Sequence, residues 1–169
     1  RQMKINNVNV HLNTEATVDN IKSLNPDHII IATGATTRYL KGIDGVDGPN
    51  VVYAIDALNK KKPIGENVVI IGAGLTGVEM AYELSKEGKK VQIVEMKDNY
   101  LDMPDLCMAN AQMLKQIVKY YNIKVHLSAT LSKITPNSVE WTVNGEKQTA
   151  PADTVIISIG YISNKKLYD

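Results

Sequence analysis

The chain has 169 residues and a mass of 18.6 kDa, the size of one ordinary domain. With 44% hydrophobic and 22% charged residues it has enough apolar material for a core, which excludes a disordered chain. Lys and Arg number 19 against 18 Asp and Glu, so a net charge of +1 gives no overall attraction to nucleic acid or an anionic membrane, and one cysteine excludes an intrachain disulfide and a thiolate metal cage.

No apolar run approaches the roughly 20 residues of a membrane span. The N-terminus lacks the apolar stretch of a signal peptide, and the expectation is a cytoplasmic protein. There is no Phe, one Trp and eight Tyr, so the core must come mainly from Ile, Val, Leu, Met and Ala.

In chain order, residues 18–24 form a short helical pattern stopped by Asn25-Pro26. Asp27-His28-Ile29-Ile30-Ile31 follows, a branched run near a Gly. Val68-Val69-Ile70-Ile71 and Thr154-Val155-Ile156-Ile157 are runs of the same kind. Such runs read as strands buried on both faces, the habit of parallel sheets covered by helices. Lys60-Lys61-Lys62-Pro63-Ile64-Gly65 is a charged, breaker-rich connection and a candidate boundary. Its lysines read either as a phosphate patch or as a solvated linker, and the linker is favoured.

Residues 75–87 place Val78, Ala81, Leu84 and Ser85 on one helical face, with Gly88 where a helix C-terminal Gly belongs. Val91-Gln92-Ile93-Val94 should pair beside residues 68–71. Residues 105–121 repeat Leu106, Ala109, Met113, Leu114, Ile117, Val118 and Tyr121 at helical spacing after Pro104. Alternation at Val139, Trp141 and Val143 before Asn144-Gly145 predicts a β-hairpin or three-stranded meander within 124–152. His11, His28 and His126 fall on different predicted strands without acids or cysteines at metal spacing, so no metal site is expected.

The most informative segment joins the second strand to the helix: Gly72-Ala73-Gly74-Leu75-Thr76-Gly77. It has the G-x-G-x-x-G pattern in its full context of strand, turn, helix, second strand and terminal acid. Glu95 follows Gly72 at close to the ~20-residue spacing of dinucleotide-binding units. Gly72 permits the tight turn, Gly74 lets a pyrophosphate approach the backbone, and Gly77 lets helix and strand pack closely. The first N–H groups of the helix then face the phosphates. Glu95 can accept from the adenosine ribose hydroxyls and would repel a 2′-phosphate. NAD(H) is therefore favoured over NADP(H), a preference Lys97 could soften. The alternative is a tight turn that binds nothing, and for Glu95 an exposed acid at a strand end.

These residues resemble the pyridine-nucleotide domain of the two-dinucleotide-binding flavoprotein reductases. Two more segments match. Ala32-Thr33-Gly34 looks like the Ala-Thr-Gly motif of their FAD domain. Ser158-Ile159-Gly160, with Ser163-Asn164, looks like the segment closing their NAD domain, with Ser158 for Ala and Ser163 for Pro. Details such as Ala109-Asn110 through Met113-Leu114 lean toward the Old-Yellow-Enzyme-type NADH:flavin oxidoreductases, which include 2,4-dienoyl-CoA reductase and enoate reductase.

The resemblance implies an α/β fold: a Rossmann-like parallel sheet with helices on one side and an antiparallel β-meander on the other, plus remnants of the adjoining FAD domain. It implies a domain order of 1–62 as FAD-domain remnant, 63–157 as NAD-binding domain and 158–169 as a return segment. It assigns the nicotinamide side to Ile159 and Gly160, and the FAD junction to Ala32, Thr33 and Gly34. Glu79 reads as a nicotinamide-side acid or as a solvent-facing one, and Met96 as an adenine neighbour or core filler. FAD, with FMN and a 4Fe-4S cluster, belongs to the intact parent only. The family's first glycine-rich turn, FMN barrel and Cys cluster are absent, and Cys107 has no redox partner. The expectation is thus a piece of a longer enzyme that binds NADH and presents it to a flavin, feeding the reduction of an activated alkene. The piece alone should be inactive, its partners being the missing FAD and upstream domains. A stand-alone nucleotide-sensing module and an FAD bound at residues 72–77 are the competing readings.

Overall fold

The computed structural model describes residues 1–104 and 106–168. Asp105, where the sequence pattern starts its long helix, lies outside them. The described elements run α1 (Gln2–Ile5), α2 (Val18–Ser23), β1 (Ala35–Thr37), β2 (Val51–Tyr53), α3 (Ala54–Leu58), β3 (Asn67–Ile71), α4 (Leu75–Lys86), β4 (Lys90–Val94), α5 (Met108–Tyr120), β5 (Lys124–His126), β6 (Ala129–Ile134), β7 (Ser138–Val143), β8 (Glu146–Pro151), β9 (Thr154–Ile157) and β10 (Tyr161–Ser163). The chain forms two compact units, residues 37–162 and residues 1–36 with 163–169.

The larger unit is built on a five-stranded parallel sheet in the order β2-β9-β3-β4-β5. Successive side chains of a strand point to opposite faces, and β3 shows what that does here. Val68 and Ile70 enter one apolar cluster with Val78, Ala81 and Leu84 of α4 and Leu114 and Val118 of α5. Val69 and Ile71 enter a second with Leu131, Val139, Trp141 and Ala150. Helices therefore cover one face and the antiparallel meander β6-β7-β8 covers the other, as expected. Both faces being covered, β3 and β9 can be apolar at consecutive positions.

The hairpin between β7 and β8 turns at Asn144 (φ 50°) and Gly145 (φ 85°), the two left-handed positions of a type I′ turn. Helix α4 ends at Lys86, and Gly88 follows at φ 86°. Helix α5 is shorter than its pattern. It starts at Met108 and buries Leu114 and Val118, while Ala109 and Met113 are exposed because only a narrow stripe of the helix meets the sheet.

One expectation needs correction. The run Ile29-Ile30-Ile31 is not a buried strand; Ile30 is 91% exposed. A buried strand needs paired neighbours and a covering layer; residues 29–31 pair with no strand, and α1 and α2 bury no residue. His11 and His28 accordingly lie on no strand, and only His126 does. The compact units divide at 36/37 and 162/163. Residues 37–62 pack with the larger unit because β2 pairs with β9 and α3 buries Ala54 and Ala57. The lysine connection is tied down as well. Lys61 pairs with Asp56 at 2.7 Å, and Lys62 donates to the carbonyl of Val51 at 3.0 Å.

Candidate functional site

In the parallel register Ile71 aligns with Val94 on one side and Ile157 on the other, so three strands end together. The connection after β3 leads through α4 to β4, whereas β9 lies on the opposite side of β3. Connections leaving in opposite directions open a crevice outside the carboxyl ends of the strands.

The glycines stand at this crevice for three different reasons. Gly72 has φ 104°, and a Cβ there would run into the carbonyl of Ser158. A Cβ on Gly77 would run into the carbonyl oxygen of Gly72, so α4 approaches the turn as closely as backbone permits. Gly74 is different. The nearest atom to a Cβ there would be the Met103 sulfur at 3.8 Å, so its bare face looks into open space. Gly74 caps α4 without any side-chain hydrogen bond, and Val78 N–H donates to its carbonyl at 3.1 Å. The N–H groups of Leu75, Thr76 and Gly77 precede the first intrahelical bond and have no acceptor within the helix. They form the anion-attracting end of its dipole.

Glu95 leaves the end of β4, its backbone N–H donating to His126 O at 2.8 Å. Its carboxylate accepts from two backbone amides: Ala73 N–H to Oε2 at 2.6 Å and Lys97 N–H to Oε1 at 2.8 Å. Lys97 in turn pairs with Asp102 at 3.3 Å. That pair is well exposed and worth at most about 1 kcal/mol, so the ammonium can exchange partners.

A cleft of about 740 Å³ opens here. Its wall contains Gly72, Gly74, Leu75 and Thr76 from the turn, Glu95, Met96 and Lys97 from the end of β4, and Ser158, Ile159 and Gly160 after β9. Nine of the residues singled out in the sequence thus meet at one cavity: Gly72, Gly74, Leu75, Thr76, Glu95, Met96, Lys97, Ile159 and Gly160. Ala73 and Gly77 are buried in the turn beneath it. Met96 is 73% exposed, which removes its core-filling reading. Glu79 is exposed and does not line the cleft. Gly77 faces the sheet, and two residues farther along a helix the side chain points away.

Ala32, Thr33 and Gly34 belong to the other unit and border a separate concavity of about 440 Å³ with Asn164. There Thr33 Oγ1 donates to Asn164 O at 2.8 Å, and Asn164 Nδ2 donates to Thr33 O at 2.9 Å. Among the described residues, no glycine-rich turn opening a helix stands beside Ala32, Thr33 and Gly34.

Sequence reasoning missed the apolar wall formed by Leu40, Ile43 and Leu131, and also Arg38 and Met103. Arg38 is held by its backbone N–H, which donates to Gly160 O at 3.1 Å. No local pattern marks these positions, because they reach the cleft through loops and a meander that fold back over it. Among the described residues no group of three or more His, Cys, Asp and Glu could hold a metal ion. None of the described helices is long and apolar enough to cross a membrane. Cys107 is exposed at the start of α5, where the amides of Asn110 and Ala109 hold its thiol pKa below the usual value.

A pyridine nucleotide-disulphide oxidoreductase family model matches residues 2–169. Cinnamate reductase of Clostridium sporogenes is 41% identical over 162 residues, 95% of this chain and 24% of that protein. Dihydrolipoyl dehydrogenase of Chlorobaculum tepidum is 31% identical over 145 residues, 83% of this chain and 30% of that protein. A 2-naphthoyl-CoA reductase solved with 2-naphthoyl-CoA superposes with a TM-score of 0.79 at 29% identity, covering 98% of this chain and 25% of that one. The chain thus spans about a quarter of the length of the first of these relatives.

Proposed function

The chain belongs to the pyridine nucleotide-disulphide oxidoreductase family, and we propose that it is the NADH-binding part of a larger flavin-dependent reductase of activated alkenes. One observation carries this reading: bare Gly74, the free amides of α4 and the Glu95 carboxylate share a single cleft at the ends of three parallel strands.

The residues fit a dinucleotide in order along the crevice. The pyrophosphate would lie over Gly74 against the Leu75, Thr76 and Gly77 amides. The adenosine ribose would lie toward Glu95, with Met96 beside the adenine. The nicotinamide would lie toward Ile159 and Gly160, where Leu40, Ile43 and Leu131 exclude water. A 2′-phosphate would meet the Glu95 carboxylate, so NADH is the preferred form. NADH would supply a hydride, and a flavin held elsewhere in the polypeptide would accept it. The chain's own part is binding and orientation; among the described residues Glu95 is the only acid on the cleft wall, and it is already engaged with two amides. The alkene rests on the relatives. Cinnamate and a naphthoyl thioester are both conjugated carbonyl compounds, and the proteins named for them match nearly the whole of this chain.

Titration of the chain with NADH and NADPH tests the reading. Energy transfer from Trp141 reports binding, because it is the sole tryptophan and its cross-strand partner Leu131 lines the cleft. NADH should bind more tightly than NADPH. Glu95→Ala should weaken NADH binding by about tenfold or more, from the loss of charge-assisted hydrogen bonds. Tighter NADPH binding would reverse the cofactor preference, and binding of neither would remove the function.

A further inference from the structure

The Glu95 carboxylate does more in this structure than stand at a strand end. Its Oε2 accepts from Ala73, the central residue of the glycine turn, and its Oε1 accepts from Lys97. The other side of Ala73 is also taken: its carbonyl accepts from Leu101 N–H at 2.9 Å. Lys97 Nζ then donates to Asp102 O at 3.1 Å and lies 3.3 Å from Asp102 Oδ2. These contacts close a circuit through Ala73, Glu95, Lys97, Asp102 and Leu101. Leu101 is buried at φ 56°, which fixes the loop it belongs to.

We propose that Glu95 is a positioning residue for the phosphate-binding turn, holding its amides in place before any nucleotide arrives. The proposal rests on the nucleotide reading of the cleft and adds a second duty for the same side chain. A carboxylate has about four lone-pair sites. Two are spent on Ala73 and Lys97, and two remain for a ribose diol. The bend Gly72-Ala73-Gly74 contains two glycines and so has much backbone freedom to lose on binding an anion. Bracing Ala73 from both its N–H and its C=O removes that freedom in advance.

The two duties predict opposite signs for an anion that has no ribose. If Glu95 only recognises ribose, Glu95→Gln removes a negative charge near the turn and leaves inorganic pyrophosphate bound as well or better. If Glu95 braces the turn, the amide of Gln cannot accept at both positions, and pyrophosphate binding weakens despite the lost repulsion. The probe is inorganic pyrophosphate, titrated into the chain and followed by the amide resonances of residues 74–77, beside an NADH titration. We expect pyrophosphate to bind Glu95→Gln about threefold or more weakly, the scale of one charge-assisted hydrogen bond offset by relieved repulsion. Equal or tighter binding in the variant overturns the brace and leaves the nucleotide reading standing. Failure of the unaltered chain to bind either NADH or pyrophosphate overturns both. A measurement that needs no variant guards against misfolding. In the ligand-free chain the Ala73 amide should exchange with solvent at least about tenfold more slowly than the acceptor-free Thr76 amide. Equal exchange at the two positions overturns the brace.

Discussion

At the scale of single residues, the glycine turn separates two kinds of necessity. Gly77 is required by the protein's own backbone, since a Cβ there meets the Gly72 carbonyl. Gly74 is not, since only the flexible end of Met103 lies near. Gly77→Ala should therefore cost about 1–3 kcal/mol of folding stability, as overpacking does, read from the denaturant midpoint. Gly74→Ala should leave that midpoint within about 0.5 kcal/mol, yet weaken NADH binding, because the added methyl occupies the phosphate's approach. Equal destabilisation by both would show that Gly74 is also a packing glycine. The glycines were legible in the sequence because their G-x-G-x-x-G spacing lies within one continuous strand–turn–helix segment. The contact of Glu95 with Ala73 was not. It depends on the β3–β4 register, which places residues more than 20 positions apart within hydrogen-bonding distance, as the 2.6 Å contact records.

At the scale of elements, legibility follows the number of faces that the sequence pattern must satisfy. Strands β3 and β9 were readable because both faces are covered, and the hairpin because Asn144-Gly145 is needed for its turn. Residues 29–31 have the same composition as those strands and form none, because pairing is decided by neighbours and not by the run itself. Strand β5 offers a test of its packing. His126 packs against Trp141 with ring centroids 4.6 Å apart and the planes tilted by 47°, and lies 3.0 Å from Gln92 Oε1. Burial, with a smaller contribution from Lys124, lowers its pKa from the ordinary 6.5. The folded chain thus keeps His126 neutral where the unfolded chain has begun to protonate. Its contribution is constant above about pH 6.5 and turns unfavourable as pH falls below that value toward the folded pKa. Asp153 shifts in the same direction, through hydrogen bonds from Asn67, but its carboxylate affects stability only near and below its ordinary 3.8. Between pH 7 and 5.5 the melting temperature of the unaltered chain should therefore fall more steeply than that of His126→Gln. Parallel curves would mean that the ring is not held neutral.

At the scale of the molecule, the two units differ in what holds them. Every member of both apolar clusters lies within residues 37–162. Among the described residues, the other unit contributes no buried hydrophobic one. Its helices have four and six residues, well short of the roughly 12–15 an isolated helix needs for marginal stability in water. Since apolar burial supplies the main favourable term of folding, the cooperative transition belongs to the larger unit. The residues proposed to bind the dinucleotide at the glycine turn and at Glu95 lie in it too. A chain cut to residues 37–162 should therefore melt within a few degrees of the full chain and bind NADH with affinity unchanged within about threefold. It should also behave better at high concentration. The full chain exposes Ile29 at 57% and Ile30 at 91% beside Ile31, an uncovered branched run of the kind that pairs between molecules. Light scattering should show concentration-dependent association of the full chain that the shortened one lacks. A shortened chain that fails to fold would place necessary stabilisation in residues 1–36 or 163–169. One that folds but still associates would move the sticky surface onto the nucleotide-binding unit itself.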